Sequence, residues 1–459
     1  MSENGRRGDE ALGAIEAWRR FAGHPTPARG GWWFTLGSVA LTLLGVQFAT
    51  GFLLLTAYAP TPDHAWASVA WIERKIPAGA LVRGLHSWAA SAVVVVALLH
   101  LARVFYHGAY KRPRKENWWI GLLLLLVILA FAFTGYLLPW DQKGYWATLV
   151  GIRIASQPPI VGAQMGRLLR GGATVGASTL TRFAAIHVFL LPLALLILAS
   201  VHLVLLRRRG HAGLPGDETP REPFFPKQLA RDAVASAAVF AVLLALAYFF
   251  PARLEAAADP SDTSYVPRPE WYFLPLFQLL HYFRGKAMLL GTIGIPAAVA
   301  LFLFALPLLD RSATRTPRAR RPWIAAGGMV ALSALILTGI AMIDEPRRSR
   351  LPAVEPPPPP LAFVSPDLKN YDLSAFPPSI ARGGRLIAEK RCLECHLVNG
   401  DGNTKGIELK HVADRRTRAW ILAHFKDPQE LSPHSKMPPY DDLPERDLND
   451  MADYLLALP

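Results

Sequence analysis

Two apolar stretches decide the fold: HSWAASAVVVVALLH, residues 86–100, and HVFLLPLALLILASVH, residues 187–202. Each begins and ends with histidine, and the two histidines are 14 residues apart in the first stretch and 15 in the second. Fourteen residues make almost four helical turns and about 21 Å, so both imidazoles of a stretch share one helix face. Each stretch belongs to an apolar run that is long enough to cross the hydrocarbon layer of a membrane.

Five further apolar runs have the length of a membrane span, about 20 residues. Hydrophobic residues make up 52% of the chain and charged residues only 18%, which is typical of a membrane protein. The formal charge of +14 lies in short clusters between the runs, so nucleic-acid binding is not expected. The sequence predicts seven transmembrane helices, near residues 32–57, 81–106, 116–137, 181–206, 231–250, 286–309 and 323–343.

Lys and Arg are concentrated in the connections that share a side with the N-terminus. By the positive-inside rule this side is cytoplasmic, and seven spans place the segment after the last span outside. The segment before the first span lacks the apolar core of a cleaved signal peptide. We therefore expect a multi-pass protein of the cell membrane, with a cytoplasmic N-terminus and an extracytoplasmic C-terminal region.

The second and fourth spans run in the same direction, because both have even numbers. His86 is then level with His187, and His100 is level with His202. Two imidazoles at one level suit the iron of a haem held between helices. The sequence thus predicts two non-covalent haems b with two histidine ligands each. The alternative is four polar histidines that are satisfied inside the bundle.

Glycines repeat at the same interval in the neighbouring spans. The first span has Gly37 and Gly51 and the third has Gly121 and Gly135, each pair 14 residues apart. Glycine lets a flat macrocycle approach the backbone closely. The alternative is ordinary small-residue packing between helices.

Two arginines lie three residues from a predicted ligand. Arg83 precedes His86 and Arg103 follows His100. Both are candidates for binding haem propionates. Arg103 is equally plausible as an ordinary cytoplasmic flank of its span.

The C-terminal region carries a different haem signature. Cys392-Leu-Glu-Cys395-His396 supplies two thiols for haem vinyl groups and an axial histidine, the pattern of c-type attachment. These are the only two cysteines in the chain, so no disulfide framework is expected. Met437, in a Lys-Met-Pro-Pro loop, is the expected second axial ligand of this haem c. His424 and His434 are the alternative ligands.

Several short strings resemble cytochrome b of the quinol–cytochrome c reductases. They are RGLH at 83–86, GYLLPWDQ at 135–142, GYWA at 144–147, STLTRF at 178–183 and PEWY at 269–272. The similarity covers about residues 20–345 and is closest to the chloroplast branch. In that branch cytochrome b and a three-helix fourth subunit are separate chains, which here are joined near 207–231. Thr35 stands where that branch binds an extra haem through cysteine, so no such haem is expected.

The resemblance implies a quinol-oxidation pocket at the outer ends of the spans. It assigns Glu270 as proton acceptor, Tyr272 to the cavity and Tyr145 to the opposite wall. The alternative for the PEWY string is an interfacial aromatic belt with a solvated glutamate. For an inner quinone site the candidates are Asp232 and Arg207. The alternative is that both are ordinary loop charges that only help to set the orientation of the spans in the membrane.

The resemblance further implies a quinol–cytochrome c reductase subunit that works by a Q-cycle. Its expected partners are a Rieske iron–sulfur protein, quinone and quinol, membrane lipid and a cytochrome c or other downstream acceptor, in a dimeric complex. One alternative is a membrane electron conduit that links quinone to another enzyme without bifurcation. A terminal oxidase would need further histidines in the spans, and no such cluster is found.

The predicted fold class is all-α: a seven-span transmembrane helical bundle with two haems b between helices, plus a small extramembrane cytochrome c domain. A run of prolines between residues 352 and 360 predicts an extended spacer before this domain. The predicted organisation is a cytoplasmic segment 1–31, a four-helix di-haem domain 32–210, a three-helix domain 211–345, a Pro-rich linker 346–373 and the cytochrome c domain 374–459.

Overall fold

The structure is a computed structural model. It describes residues 13, 15–16, 18–28, 31–172, 174–214, 221–260, 262, 265, 268–283, 285–348, 377–398, 401–403, 406–409, 412–432 and 435–458. The predicted linker from residue 349 onward and the alternative ligand His434 lie outside the described residues.

Seven of the described helices are long and apolar enough to cross a membrane, and the predicted seven-span membrane protein is confirmed. They are α1, α3, α4, α7, α8, α10 and α11 in the following order of elements. The chain forms α1 Leu36–Leu55, α2 Ala65–Lys75, α3 Gly79–Tyr106, α4 Lys115–Tyr136, α5 Gln142–Ala155, α6 Gly162–Arg170, α7 Ala177–Arg209, α8 Leu229–Phe249, α9 Leu274–Leu280, α10 Ile295–Leu309, α11 Arg321–Arg348, α12 Pro378–Glu389, α13 Arg418–Lys426, α14 Pro428–Leu431 and α15 Glu445–Ala457.

The chain divides into two compact units. The first contains Met1–Trp140, Ala147–Leu254 and Pro267–Asp344, and the second contains Asp141–Trp146, Glu255–Val266 and Glu345–Pro459. The first unit is called the membrane unit below, because it holds the seven spans. The second unit contains the Cys-Leu-Glu-Cys-His segment.

In the membrane unit α1 packs along α3, α8 packs against both, and α4 packs along α7. A buried core joins α1, α3, α4 and α8 through Val39, Leu43, Leu85, Ala89, Val93, Val94, Val96, Ile128, Leu243 and Ala247. A Cβ added at Gly84 would lie 3.1 Å from the Cβ of Ala247, so α3 and α8 meet at small residues. Such close packing is what holds helices together in lipid, where burial of apolar surface gives little advantage.

Strands are few, as an all-α class predicts, but two short pairs are present among the described residues. β1 (Pro25–Pro27) pairs antiparallel with β2 (Arg221–Pro223), and β3 (Leu397–Val398) pairs with β4 (Asp401–Gly402). The Thr26 hydroxyl also donates to the carbonyl of Glu222 at 3.1 Å. The β1–β2 pair joins the N-terminal segment to the connection between the fourth and fifth spans.

The second unit has its own core around α12, α13 and α15. Ile387, Ile421, Phe425 and Met451 are buried in it. A Cβ at Gly383 would lie 1.9 Å from the carbonyl oxygen of Asp450, so α12 crosses α15 at nearly direct backbone contact. This contact explains why two glycines occur together in an otherwise regular helix.

A fully buried ion pair joins α10 and α11 to the end of α3. Arg320 has 0% exposed surface, and its Nε donates to Asp310 at 2.8 Å. Its two terminal nitrogens donate to the carbonyls of Tyr106 and Phe105 at 2.9 and 2.8 Å. Burial alone would raise the pKa of Asp310, but hydrogen bonds from Ser312, Tyr110, Arg320 and Lys111 outweigh it and hold this pKa below its usual value. Asp310 therefore stays ionised and compensates the guanidinium.

We expect Asp310→Asn to destabilise the membrane unit by about 3–5 kcal/mol, because it leaves the buried charge of Arg320 without its counter-ion. The measurement is the thermal denaturation midpoint of the detergent-solubilised protein. Lys227→Gln is the control, since this lysine is 65% exposed in its pair with Glu222. Equal midpoints for the two variants would contradict the assigned role of the buried pair.

Candidate functional site

The outer pair of predicted ligands, His86 and His187, is oriented by two threonines. Thr50 Oγ1 lies 2.9 Å from Nδ1 of His86, and Thr134 Oγ1 lies 3.1 Å from Nδ1 of His187. A hydrogen bond at Nδ1 fixes the ring and leaves Nε2 as the nitrogen for a metal. His86 and His187 are also electrostatic neighbours.

The four glycines lie opposite the four histidines, and their role in leaving room for a macrocycle stays a prediction. A Cβ at Gly51 would lie 3.2 Å from Cε1 of His86, and a Cβ at Gly135 would lie 2.6 Å from Cε1 of His187. At the other level the corresponding distances are 3.7 Å from Gly37 to His100 and 3.4 Å from Gly121 to His202. Each imidazole therefore lies against bare backbone of the neighbouring helix.

The inner pair, His100 and His202, has the separation that one metal ion requires. The ring centroids are 6.5 Å apart, with an angle of 70° between the ring planes. An imidazole nitrogen binds a metal at about 2 Å, so two centroids on opposite sides of one iron lie roughly 6 Å apart. The two rings are therefore close enough to hold one haem between them, and this pairing stays a prediction.

The fourth span departs from a regular helix at its outer histidine. Residues Ile186–Leu190 form a π-helical turn, in which the N–H of Leu191 bonds to the carbonyl of Ile186. Pro192 follows and cannot donate to the carbonyl four residues earlier. A π turn takes up one extra residue. This explains why the interval between the two histidines is one residue longer in the fourth span than in the second.

The three predicted cofactor-binding arginines have different surroundings. Arg83 is paired with Glu73 and donates to the carbonyls of Ala252 and Arg253 at 3.0 and 3.1 Å. The guanidinium of Arg103 lies 3.9 Å from the ring centroid of Phe34. Its Nε is buried and has no hydrogen-bond partner among the described residues, so Arg103 is the better placed of these two for an anionic ligand.

The third arginine, Arg207, and Asp232 lie at the end of the bundle that the sequence predicts to be the inner one. The Arg207 guanidinium lies 4.5 Å from the ring centroid of Phe21. Asp232 is buried, and Gln228 Nε2 donates to it at 2.9 Å. Their roles at an inner quinone site stay predictions.

An apolar cavity of about 270 Å³ lies in the membrane unit. It is lined by the ends of α4 and α5 and by the segment from Pro269 through α9. Its lining residues are Phe133, Tyr136, Ala147, Val150, Gly151, Ile154, Ala155, Pro269, Phe273, Leu276, Phe277 and Leu280. Glu270 and Tyr272 are not among these described lining residues, although both lie between Pro269 and Phe273 in the chain.

The PEWY segment is tied to the bundle on both sides of Glu270. The Tyr136 hydroxyl donates to the carbonyl of Arg268 at 3.0 Å, and Nε1 of Trp271 donates to the hydroxyl of Ser91 in α3 at 3.4 Å. Tyr272 packs against the buried core of the bundle. The predicted wall residue Tyr145 is buried in the second unit, where its N–H donates to the carbonyl of Asp141 at 2.9 Å. Its role stays a prediction.

The Cys-Leu-Glu-Cys-His segment forms a compact turn in the second unit. Cys392 and Cys395 lie at either end of a single 3-10 turn, and the N–H of His396 donates to the carbonyl of Cys392 at 2.9 Å. His396 Nδ1 lies 2.7 Å from the carbonyl oxygen of Ile407, which it reaches as a donor. The Nε2 atom is then the nitrogen available for iron.

The predicted sixth ligand and its competitor have different environments. Met437 packs against the buried core of the second unit, as do Cys392 and Tyr440. His424 is stacked on Trp420, with ring centroids 4.5 Å apart. Its Nδ1 is buried without a hydrogen-bond partner among the described residues. Met437 stays the prediction and His424 the alternative.

Comparisons with known proteins decide the family. The family described as cytochrome b/b6/petB matches residues 21–210, cytochrome b (C-terminal)/b6/petD matches 257–349, and cytochrome c matches 380–459. A cytochrome bc complex cytochrome b subunit of Chlorobaculum thiosulfatiphilum is 34% identical over 66% of this chain and 72% of that protein. This chain belongs to the cytochrome b family of bc complexes.

A further relative and a solved structure cover different shares of the chain. The menaquinol:cytochrome c reductase cytochrome b subunit of Bacillus subtilis is 42% identical over 45% of this chain and 95% of that protein. A solved structure described as hyperthermophilic respiratory complex III matches with a TM-score of 0.66 and 28% identity, over 73% of this chain and 90% of that one. The cytochrome b and cytochrome c domains imply both haem b and haem c. The chain is an integral membrane electron-transport protein and a subunit of an oxidoreductase complex.

Two features of this cytochrome b region were missed by sequence reasoning. Thr50 and Thr134 each precede a glycine that faces an outer histidine. The repeated Thr-Gly pair is therefore a usable signal. The π turn has a weaker signal, namely Pro192 inside an apolar span.

We expect Gly135→Ala to lower the ratio of b-type to c-type haem, because the added methyl group meets the ring of His187. Alanine favours a helix over glycine by about 1 kcal/mol, so helix propensity would act in the opposite direction. Haem spectra of the purified protein measure the ratio. The matched control is Gly45→Ala in α1, where an added Cβ has nothing within 4 Å. An unchanged ratio in Gly135→Ala would show that the close approach is unimportant for haem binding.

Proposed function

We propose that this chain is the cytochrome b and cytochrome c subunit of a quinol:cytochrome c oxidoreductase that works by a Q-cycle. The observation that carries the proposal is the pair of histidine levels inside one bundle, together with an apolar cavity beside the PEWY segment. The Cys-Leu-Glu-Cys-His segment on the same chain supports an electron acceptor for the oxidised quinol.

Two haems b and one haem c are proposed as cofactors. His86 with His187, and His100 with His202, would hold the haems b, while Cys392, Cys395 and His396 with Met437 would hold the haem c. When bound, these groups supply one-electron transfer across the membrane and onward to an acceptor. The chain's own contribution at each b level is a ring held in one orientation and a backbone that leaves room for a macrocycle.

The cavity bounded by Pro269 and Phe277 is proposed to hold the ring of quinol. Its lining is apolar, which suits a lipid-soluble substrate. Glu270 is proposed to accept a proton as the quinol loses an electron, since a carboxylate near an apolar site can be tuned for this task. Tyr136 supports the geometry by holding the segment that precedes Pro269.

Quinol gives up two electrons, and the Rieske cluster that is proposed to accept one of them must be on another chain. An iron–sulfur cluster is held by cysteines, and both cysteines of this chain lie in the haem c segment. A Rieske partner is therefore proposed to take one electron of each quinol and pass it to haem c. The other electron is proposed to reach quinone at the inner side, near Arg207 and Asp232. By the positive-inside rule the inner side is cytoplasmic and the cytochrome c domain lies outside.

Glu270→Gln tests the proposal, because glutamine keeps the size of the side chain and removes the proton acceptor. We expect quinol oxidation to fall by about 100-fold with unchanged haem content. Steady-state cytochrome c reduction and haem spectra measure the two quantities. The control is Glu255→Gln, which removes a carboxylate of the same connection that accepts from the Tyr265 hydroxyl at 2.7 Å. Full activity of Glu270→Gln would favour a simple electron conduit instead.

A further inference from the structure

Two histidines that the proposed function does not use meet at the inner end of the bundle. His24 immediately precedes β1, and its carbonyl accepts from the N–H of Phe224 at 2.9 Å. His211 follows the end of α7. Their ring centroids are 5.7 Å apart, and Phe34 lies edge-on to His211 at 6.4 Å. The β1–β2 pair thus brings together two chain segments that are far apart in the sequence.

Three nitrogens in this region are buried without a hydrogen-bond partner among the described residues. They are Nε2 of His24, Nδ1 of His211 and Nε of Arg103. Buried polar atoms in folded proteins are nearly always satisfied, so three from separate segments indicate a missing ligand that bonds to them. Arg114 donates to the carbonyls of Gly210 and His211 at 2.9 and 3.3 Å, which fixes the connection in place.

Among the described residues, the charged groups that shift the pKa values of the two imidazoles are basic. Burial, followed by His24 and then Arg103, Arg207 and Arg114, lowers the pKa of His211 to about 4. Burial, followed by Arg207 and Arg221, lowers the pKa of His24. Both rings are therefore neutral at rest. A negative charge that arrives beside them raises their proton affinity, so each ring takes up a proton as the charge appears.

The position of this histidine pair matches an electron-accepting site. Arg103 follows His100 by three residues and Arg207 follows His202 by five. At about 1.5 Å per residue these arginines lie within roughly 8 Å along the helix from the inner histidine level. A molecule bound among these arginines would be close enough to that level for electron transfer, and Arg103 and Arg207 are also the electrostatic neighbours of His211.

We propose that His24 and His211 are the proton donors of the inner quinone site. The inference rests on the proposed function and adds the residues that complete its inner half-reaction. Quinone gains two electrons, one at a time, from two quinols that are oxidised in turn at the outer site, each of which gives its other electron to the Rieske partner. Each of its two oxygens gains one proton from an imidazolium, and each imidazole is reprotonated from the water on that side. The arginines hold the reduced ring until both O–H bonds have formed.

The test uses the complete complex in a Glu270→Gln background, so that quinone reacts at the inner site only. The b-type haem is reduced chemically and mixed with quinone extracted from the host membrane, and its reoxidation is followed by absorbance from pH 6 to 9. We expect the unmodified inner site to slow as the pH rises, because each neutral imidazole must take up a proton from the water as the negative charge appears, and protons become scarcer. His24→Gln with His211→Gln should reoxidise about 100-fold more slowly at pH 6 and show a flatter pH profile.

The matched control is His64→Gln, which removes an exposed imidazole bonded to Thr61 at 3.1 Å and should leave rate and profile unchanged.

The single variants show whether the double variant is merely misfolded, since each should lose part of the rate with intact haem spectra. A normal rate and pH profile in the double variant would overturn the proposal. The proposal would also be overturned if removal of anionic lipid from the unmodified complex lowered the rate as much as the double variant does. That result would assign the pocket to a lipid headgroup. Every variant carries the same Glu270→Gln background, so a difference in rate between the variants reports on the inner site, whereas a failure of the outer-site proposal would change all of them equally.

Discussion

The membrane unit depends on the close approach of bare glycine backbone to four imidazoles. α1 and α4 carry the glycines, and α3 and α7 carry the histidines. Because both sets repeat at nearly the same interval, each helix pair is matched at two levels and cannot slide without losing both contacts. The distances from an added methyl group to the rings, between 2.6 and 3.7 Å, show how little space a side chain would find. The register of the bundle and the space for its cofactors are therefore one constraint.

The spans and the histidine levels could be predicted because they follow from local geometry. A helix has a constant rise and turn, so spacing alone places His86 and His100 on one face. The hydroxyl contacts of Thr50 and Thr134 need a further step, since they depend on the rotation of α1 and α4 about their axes. Spacing therefore groups the candidate ligands into levels but does not name the atoms that orient the rings.

Contacts between distant segments are beyond sequence reasoning. Asp310 and Arg320 look like ordinary loop charge in the sequence, because nothing in their local pattern distinguishes a buried pair from an exposed one. The β1–β2 pair joins segments that are far apart in the chain and contains proline at both ends of β1. The lining of the cavity depends on α5, a helix too short to be predicted as a span. These features arise from tertiary packing.

The π turn at His187 has a mechanical consequence for the fourth span. A regular helix that gains one residue rotates everything beyond it by about 100°, which would turn one histidine away from its level. Here the wide turn absorbs the added residue close to His187, so the remainder of the helix keeps its rotation and α4 can stay in contact with it. The fourth span can therefore contain one more residue than the second between its two histidines, while the side chains beyond the turn keep their direction.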